Sequence, residues 1–185
     1  MAAAEGMTST ALDHVALAAE RAHSSPVLAS WLATMEARVH ADRSELAAAR
    51  EALDRAHAAL PASRISPASS TEGAAANLAA ATGHVLVRAG DYHGARETLT
   101  AALDQLRPAV RRDRVLVLVD LATVELRSGD LAAACSWATQ AATVLQQAAY
   151  ALGAARLRAF RAAAQQPFNG RALRALDEHL SRIAA

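Results

Sequence analysis

Three stretches of the chain repeat one helical phrase, and that repetition narrows the folds open to it. Ser44-Glu45-Leu46-Ala47-Ala48-Ala49-Arg50, Gly90-Asp91-Tyr92-His93-Gly94-Ala95-Arg96 and Gly129-Asp130-Leu131-Ala132-Ala133-Ala134-Cys135 align without gaps. In that register Ala49, Ala95 and Ala134 coincide, then Ala56, Ala102 and Ala141, then Leu60, Leu106 and Leu145. The phrase returns 46 residues after Ser44 and again 39 residues after Gly90. A unit of about 35–45 residues made of paired helices cannot bury its own apolar face, so it stacks on copies of itself. The expected fold is all-α: a right-handed α-solenoid of antiparallel helix pairs, with about nine helices.

Composition agrees with a helical reading. Alanine, the best helix former, is the commonest residue. Only 3% of residues are aromatic, so the core has to be helices in close approach with small side chains between them. Every basic residue is arginine, which reads as the codon bias of a GC-rich genome. The 19 basic and 18 acidic residues leave a net charge of +1, which argues against bulk nucleic-acid binding, where a basic face is needed. A single cysteine, Cys135, excludes an internal disulfide framework and a cysteine zinc site. No apolar run reaches the roughly 20 residues of a membrane span, and no basic start followed by an apolar stretch marks a signal peptide. A cytoplasmic protein without a membrane partner is expected.

Along the chain, residues 1–8 read as a disordered N-terminus, and a single helical-repeat domain is expected over 9–183. A first helix is expected over about 8–24, with Leu12, Val15, Ala16 and Ala19 on one stripe. Ser25 and Pro26 read as the cap and first turn of a second helix, reaching about His40. A third runs from about Glu45 to Leu60, before Pro61. Residues 61–71, rich in Pro and Ser, form a loop. Further helices are expected over about 72–88, 91–106, 110–127, 130–147, 150–165 and 171–183. Val115–Val119 alternates Leu and Val as a strand would, but a lone strand has no place in a helical repeat, so helix is expected there. The repeat units fall at about 25–61, 72–108, 109–147 and 148–183.

The spacing of small residues resembles the tetratricopeptide pattern. That family carries a small residue in the first helix of a pair, another twelve positions on, and a third seven later. Ala37, Ala49 and Ala56 match it, as do Gly83, Ala95 and Ala102, and Ala122, Ala134 and Ala141. Ala163 and Ala175 start a fourth set whose third position holds Arg182. The family's aromatic positions are mostly Leu or Ala here. The run from Ala95 to Leu145, with its continuation to Leu180, also resembles the C-terminal region of actinobacterial (Streptomyces-type) Xre-family transcriptional regulators. In those proteins a helix-turn-helix precedes a tetratricopeptide-like sensor region. No recognition helix with a basic face stands in residues 8–24, so the resemblance implies regulation, without nucleic-acid binding by this chain.

In such a solenoid the first helix of each pair lines the concave face. That places Trp31, Thr34 and Arg38 in the groove from one unit, Asn77, His84 and Arg88 from the next, and Thr123 and Arg127 from the third. Arg38, His84, Arg88 and Arg127 would form a cationic stripe for a peptide, a protein or a small anionic ligand, since the guanidinium fork suits carboxylates. The competing reading makes each Arg a solvated helix-end residue. An enzyme on the same scaffold would pair His84 with Asp120 or Glu125 for acid–base work. No catalytic residue, cofactor or metal site is assigned. The histidines (14, 23, 40, 57, 84, 93 and 179) show no metal-binding spacing. Cys135 follows a packing alanine and is expected to be a buried, inert thiol. The last helix carries Leu173, Leu176, Leu180 and Ile183 on one stripe, either capping the array or pairing two copies into a homodimer.

Overall fold

The computed structural model describes residues 13, 25–60, 71–147, 150–164 and 171–183. The helix expected over 8–24 and the loop expected over 61–71 lie outside the described residues, apart from Asp13 and Thr71. Eight helices are described: α1 (Pro26–Asp42), α2 (Leu46–Ala59), α3 (Thr71–Arg88), α4 (Tyr92–Gln105), α5 (Arg111–Ser128), α6 (Leu131–Gln147), α7 (Ala151–Ala163) and α8 (Arg171–Ile183). There is no strand among the described residues. Nor does any described helix have the length and apolarity to cross a membrane.

The repeated phrase has one backbone form. Ser44, Gly90 and Gly129 all sit at positive φ, at 65°, 83° and 95°. At each of them the amide bonds the carbonyl three residues back, and the next amide bonds the carbonyl five residues behind it. The second set is Glu45 to His40, Asp91 to Leu86 and Asp130 to Glu125, each 2.9 Å. This left-handed closure satisfies the carbonyls that a helix end leaves open. Asp130 then starts α6, its Oδ1 accepting from the Ala133 amide at 2.9 Å. At α1 the start is capped as the sequence implies, with Ser25 Oγ accepting from the Leu28 amide ahead of Pro26.

Glycine holds the left-handed form without strain, whereas serine does not. Ser44→Gly is expected to stabilise the chain by about 0.5–1 kcal/mol, and Gly129→Ala to cost about 1 kcal/mol. A Cβ added at Gly129 meets nothing within 4 Å, so that loss is backbone strain alone. Urea midpoints of the two variants check both signs.

The aligned small positions are where helices meet. Ala37, Ala49, Ala56, Ala95, Ala122, Ala134 and Ala141 are fully buried, and Leu60, Leu106 and Leu145 are buried beside them. Gly83 is buried and Ala102 half-buried. Ala163 and Ala175 are exposed. α8 instead buries Leu173 and Leu176, with Leu180 and Ile183 half-buried.

The helices fall into two compact units, Met1–Asp91 and Tyr92–Ala185. In the first, α1 packs on α2 and α3, and α2 on α3. Its core joins Leu53, Leu78 and Val85 to alanines from all three helices, so backbones come close and few large side chains are needed. In the second, α5 packs on α4, α6 and α7, while α6 packs on α7 and α8. The alternating run on α5 is explained by that position. Val115, Val117, Leu118 and Val119 are all buried, because neighbours cover most of the helix's circumference. Arg161 locks α7 to α8 through a two-pronged pair with Asp177, at 2.6 and 2.7 Å. Within each unit these packed helices are first or second neighbours along the chain.

Candidate functional site

Six of the eight groove residues read from the sequence lie on α1 and α3, which pack together in the first unit. Spacings of three and four bring Trp31, Thr34, Arg38 and Asp42 along one side of α1, and Asn77, His84 and Arg88 along one side of α3. Thr34 is fully buried. Its hydroxyl donates to the Trp31 carbonyl at 2.6 Å and accepts from Asn77 Nδ2 at 2.8 Å. These two residues stitch the helices together.

A turn further on, the basic groups converge on Asp42. His84 Nε2 donates to Asp42 Oδ1 at 3.0 Å. That bond, reinforced by the charges of His84, Arg88 and Arg38, holds the Asp42 carboxyl below its usual range. Arg88 Nε donates to the Ala41 carbonyl at 3.0 Å and Nη2 to the Asp42 carbonyl at 3.1 Å. The last carbonyls of α1 carry the negative end of its dipole, and Arg88 answers them from the neighbouring helix. The anion gathered by this part of the stripe is internal.

Arg88→Ala is therefore expected to destabilise the first unit by about 1–2 kcal/mol, with Arg88→Lys recovering only part of the loss, since a single ammonium cannot reproduce the fork. Thermal unfolding followed at Trp31 checks it.

No family model, curated protein or solved structure matches the chain.

Before its C-terminal end, α1 exposes two large apolar side chains: Trp31 is 46% exposed and Leu28, one turn before it, 43%. The two remaining groove residues, Thr123 and Arg127, belong to α5 in the second unit. Thr123 turns its hydroxyl back to the Val119 carbonyl, while Arg127 is exposed. They end a stripe on α5 that begins with Arg112, Leu116 and Asp120, at steps of four, four, three and four. Arg156 of α7 reaches that stripe, its Nη2 lying 3.3 Å from Asp120 Oδ1. The sequence reading missed Arg112, Leu116, Asp120 and Arg156 as parts of this face. The helical step back from Arg127 was the signal that could have found the first three.

The carboxylates considered for acid–base work hold other partners. Glu125 is buried and clamped by Arg96, Nε to Oε1 and Nη2 to Oε2, both at 2.6 Å, with the Ser128 hydroxyl donating to Oε2 at 3.3 Å. The guanidinium holds the Glu125 carboxyl below its usual range. Asp120 faces Arg156, and His84 faces the largely exposed Asp42. Cys135 is buried, and burial pushes its thiol up, against the smaller opposing charge of Arg161. Such a thiol stays protonated and unreactive, as expected from its place beside a packing alanine. Among the described residues no group of three or more His, Cys, Asp or Glu side chains could hold a metal ion.

Proposed function

We propose that this chain is a helical-repeat binding module, a tetratricopeptide-like α-solenoid serving as a regulatory or sensor domain for a peptide, protein or small anionic ligand. The observation that carries the reading is the threefold recurrence of one junction, Ser44, Gly90 and Gly129, with the same backbone bonding and an alanine, Ala49, Ala95 or Ala134, fully buried five residues after it. Packing between first and second neighbours along the chain is how repeat arrays build their cores. Arrays of this kind offer long open faces, and the polar residues found here are either spent in helix seams or displayed on such faces. A cytoplasmic setting goes with this reading.

A thermal-shift screen of the purified chain against peptides and metabolites tests it. A ligand that binds only the folded state raises Tm by mass action, worth about 2.7 kcal/mol at one hundred times Kd. Hits without turnover support the module. A screen without hits, from a chain that runs as a stable dimer by light scattering, replaces it with a structural dimerisation role through α8. Turnover of a hit replaces it with an enzyme.

A further inference from the structure

Charge is distributed unevenly over the second unit. α5 and α7 together carry seven arginines against three carboxylates, in a chain whose net charge is +1. α7 has no acidic residue. Of the three carboxylates, Glu125 is consumed by Arg96 and Asp120 by Arg156. The α5 stripe ends in Arg112 and Arg127, both exposed. Arg112 lies over the Tyr150 ring at 5.7 Å, which orients the guanidinium and leaves its charge intact. Arg127 has no ion-pair partner among the described residues. Between the two ends stand the half-buried Asp120–Arg156 pair, Thr123 and two leucines. Leu116 is half-buried on α5, and Leu152 of α7, one turn before Arg156, is 55% exposed. Ala159 and Ala163 continue that side of α7 with exposed methyl groups, leaving room for another chain.

We infer that the face shared by α5 and α7 docks an acidic peptide, with carboxylates at Arg112 and Arg127 and an apolar side chain between them on Leu116 and Leu152. This rests on the reading of the chain as a binding module, and it names the ligand class and the face. Fifteen helical residues separate the two arginines by about 22 Å, the reach of about seven extended residues. Guanidinium groups recognise carboxylates bidentately, and an exposed leucine between them gives an apolar anchor a place to bury. A nucleic acid fits this face less well. Its phosphates recur every few ångströms, whereas these two exposed cations stand far apart, with Leu116, Leu152 and the Asp120–Arg156 pair between them.

The test is fluorescence anisotropy of the full chain with labelled heptapeptides carrying Asp or Glu at both ends and Leu, Ile or Phe in the middle. Peptides with Asn and Gln in place of the acids, and single-stranded oligonucleotides, serve as comparison probes. The acidic peptides are expected to bind, and Arg127→Glu and Arg112→Glu to weaken them about tenfold or more. Leu152→Ser, at an exposed position, is expected to weaken them several-fold. Arg158→Glu makes the same charge change two residues from Arg156, on the other side of α7, and is expected to leave binding unchanged. Circular dichroism of each variant confirms that it folds. Equal losses in Arg127→Glu and Arg158→Glu, or oligonucleotides bound as tightly and regardless of Leu152, overturn the inference. So does binding of neutral peptides alone, an outcome that leaves the binding-module reading standing. No binding of any probe here, together with a thermal-shift screen without hits, removes both.

Discussion

Replacing Arg96 with methionine costs the second unit about 2–3 kcal/mol at neutral pH, the largest single loss expected from removing one charge in this protein. The reason lies in Glu125, which stays behind. Its side chain is only 5% exposed, whereas that of Arg96 is 39% exposed. The variant therefore strands a buried carboxylate with only the Ser128 hydroxyl for company. The exposure of the arginine keeps the expected loss below that of a fully enclosed pair. The pH dependence separates this account from loss of packing. In the wild type, Arg96 lowers the Glu125 carboxyl from its ordinary 4.5. The stabilisation that follows is complete above that value and is lost as the pH falls through the lower folded value. Without Arg96, burial is opposed only by the weaker Ser128 hydrogen bond and favours the protonated acid, so the gap between wild type and variant narrows toward pH 4. Arg96→Met combined with Glu125→Leu is expected to recover most of the loss, because an apolar pair no longer strands a charge. The chain has two tryptophans, and Trp137 is the one in this unit. A Trp31→Phe background therefore reports the second unit alone. A loss below about 0.5 kcal/mol at pH 7 would mean that water already screens Glu125.

Much of this was legible in the chain because helix periodicity and small-residue spacing are local. The Ser44, Gly90 and Gly129 alignment located three identical turns, and of the six alanines that coincide in it all but the half-buried Ala102 are fully buried. Helix ends agreed to within about two residues wherever a cap or breaker marked them, as at Ser25–Pro26 and Ser128–Gly129. What could not be read was which polar side chains are spent within the fold. Arg88 and Arg127 look alike in sequence, each an arginine at the end of a first helix ahead of a glycine. Arg88 is committed to the carbonyls of α1, more than forty residues away in sequence, while Arg127 is exposed on α5. The long-range partner, not the residue or its position on the helix, makes the difference. Thr34 and Asn77 show the same thing, since an interhelical hydrogen bond leaves no periodic trace.

Gly153→Ala is expected to destabilise the chain by about 1–3 kcal/mol, although helix propensity alone predicts the opposite sign. Inside a helix, alanine is favoured over glycine by about 1 kcal/mol. Gly153 is buried in α7, which packs on α5. A Cβ there would stand 2.7 Å from Val115 Cγ1, 2.8 Å from Tyr150 Cδ1 and 3.2 Å from Leu145 Cδ2. Valine has little rotamer freedom on a helix, and Val115 is itself buried, so the clash is relieved only by moving a helix. Val115→Ala removes the shortest of these contacts and should therefore partly rescue Gly153→Ala, giving a favourable coupling of about 1–2 kcal/mol in a double-mutant cycle. A stabilising Gly153→Ala would mean that α7 can shift freely against α5. The same contact bears on binding. Arg156 meets Asp120 across this seam, and the proposed acidic-peptide face needs Leu152 beside the α5 stripe. Gly153→Ala is thus expected to weaken peptide binding, both through Leu152 and through the Tyr150 ring beneath Arg112, and Gly153→Ala with Val115→Ala to restore part of it.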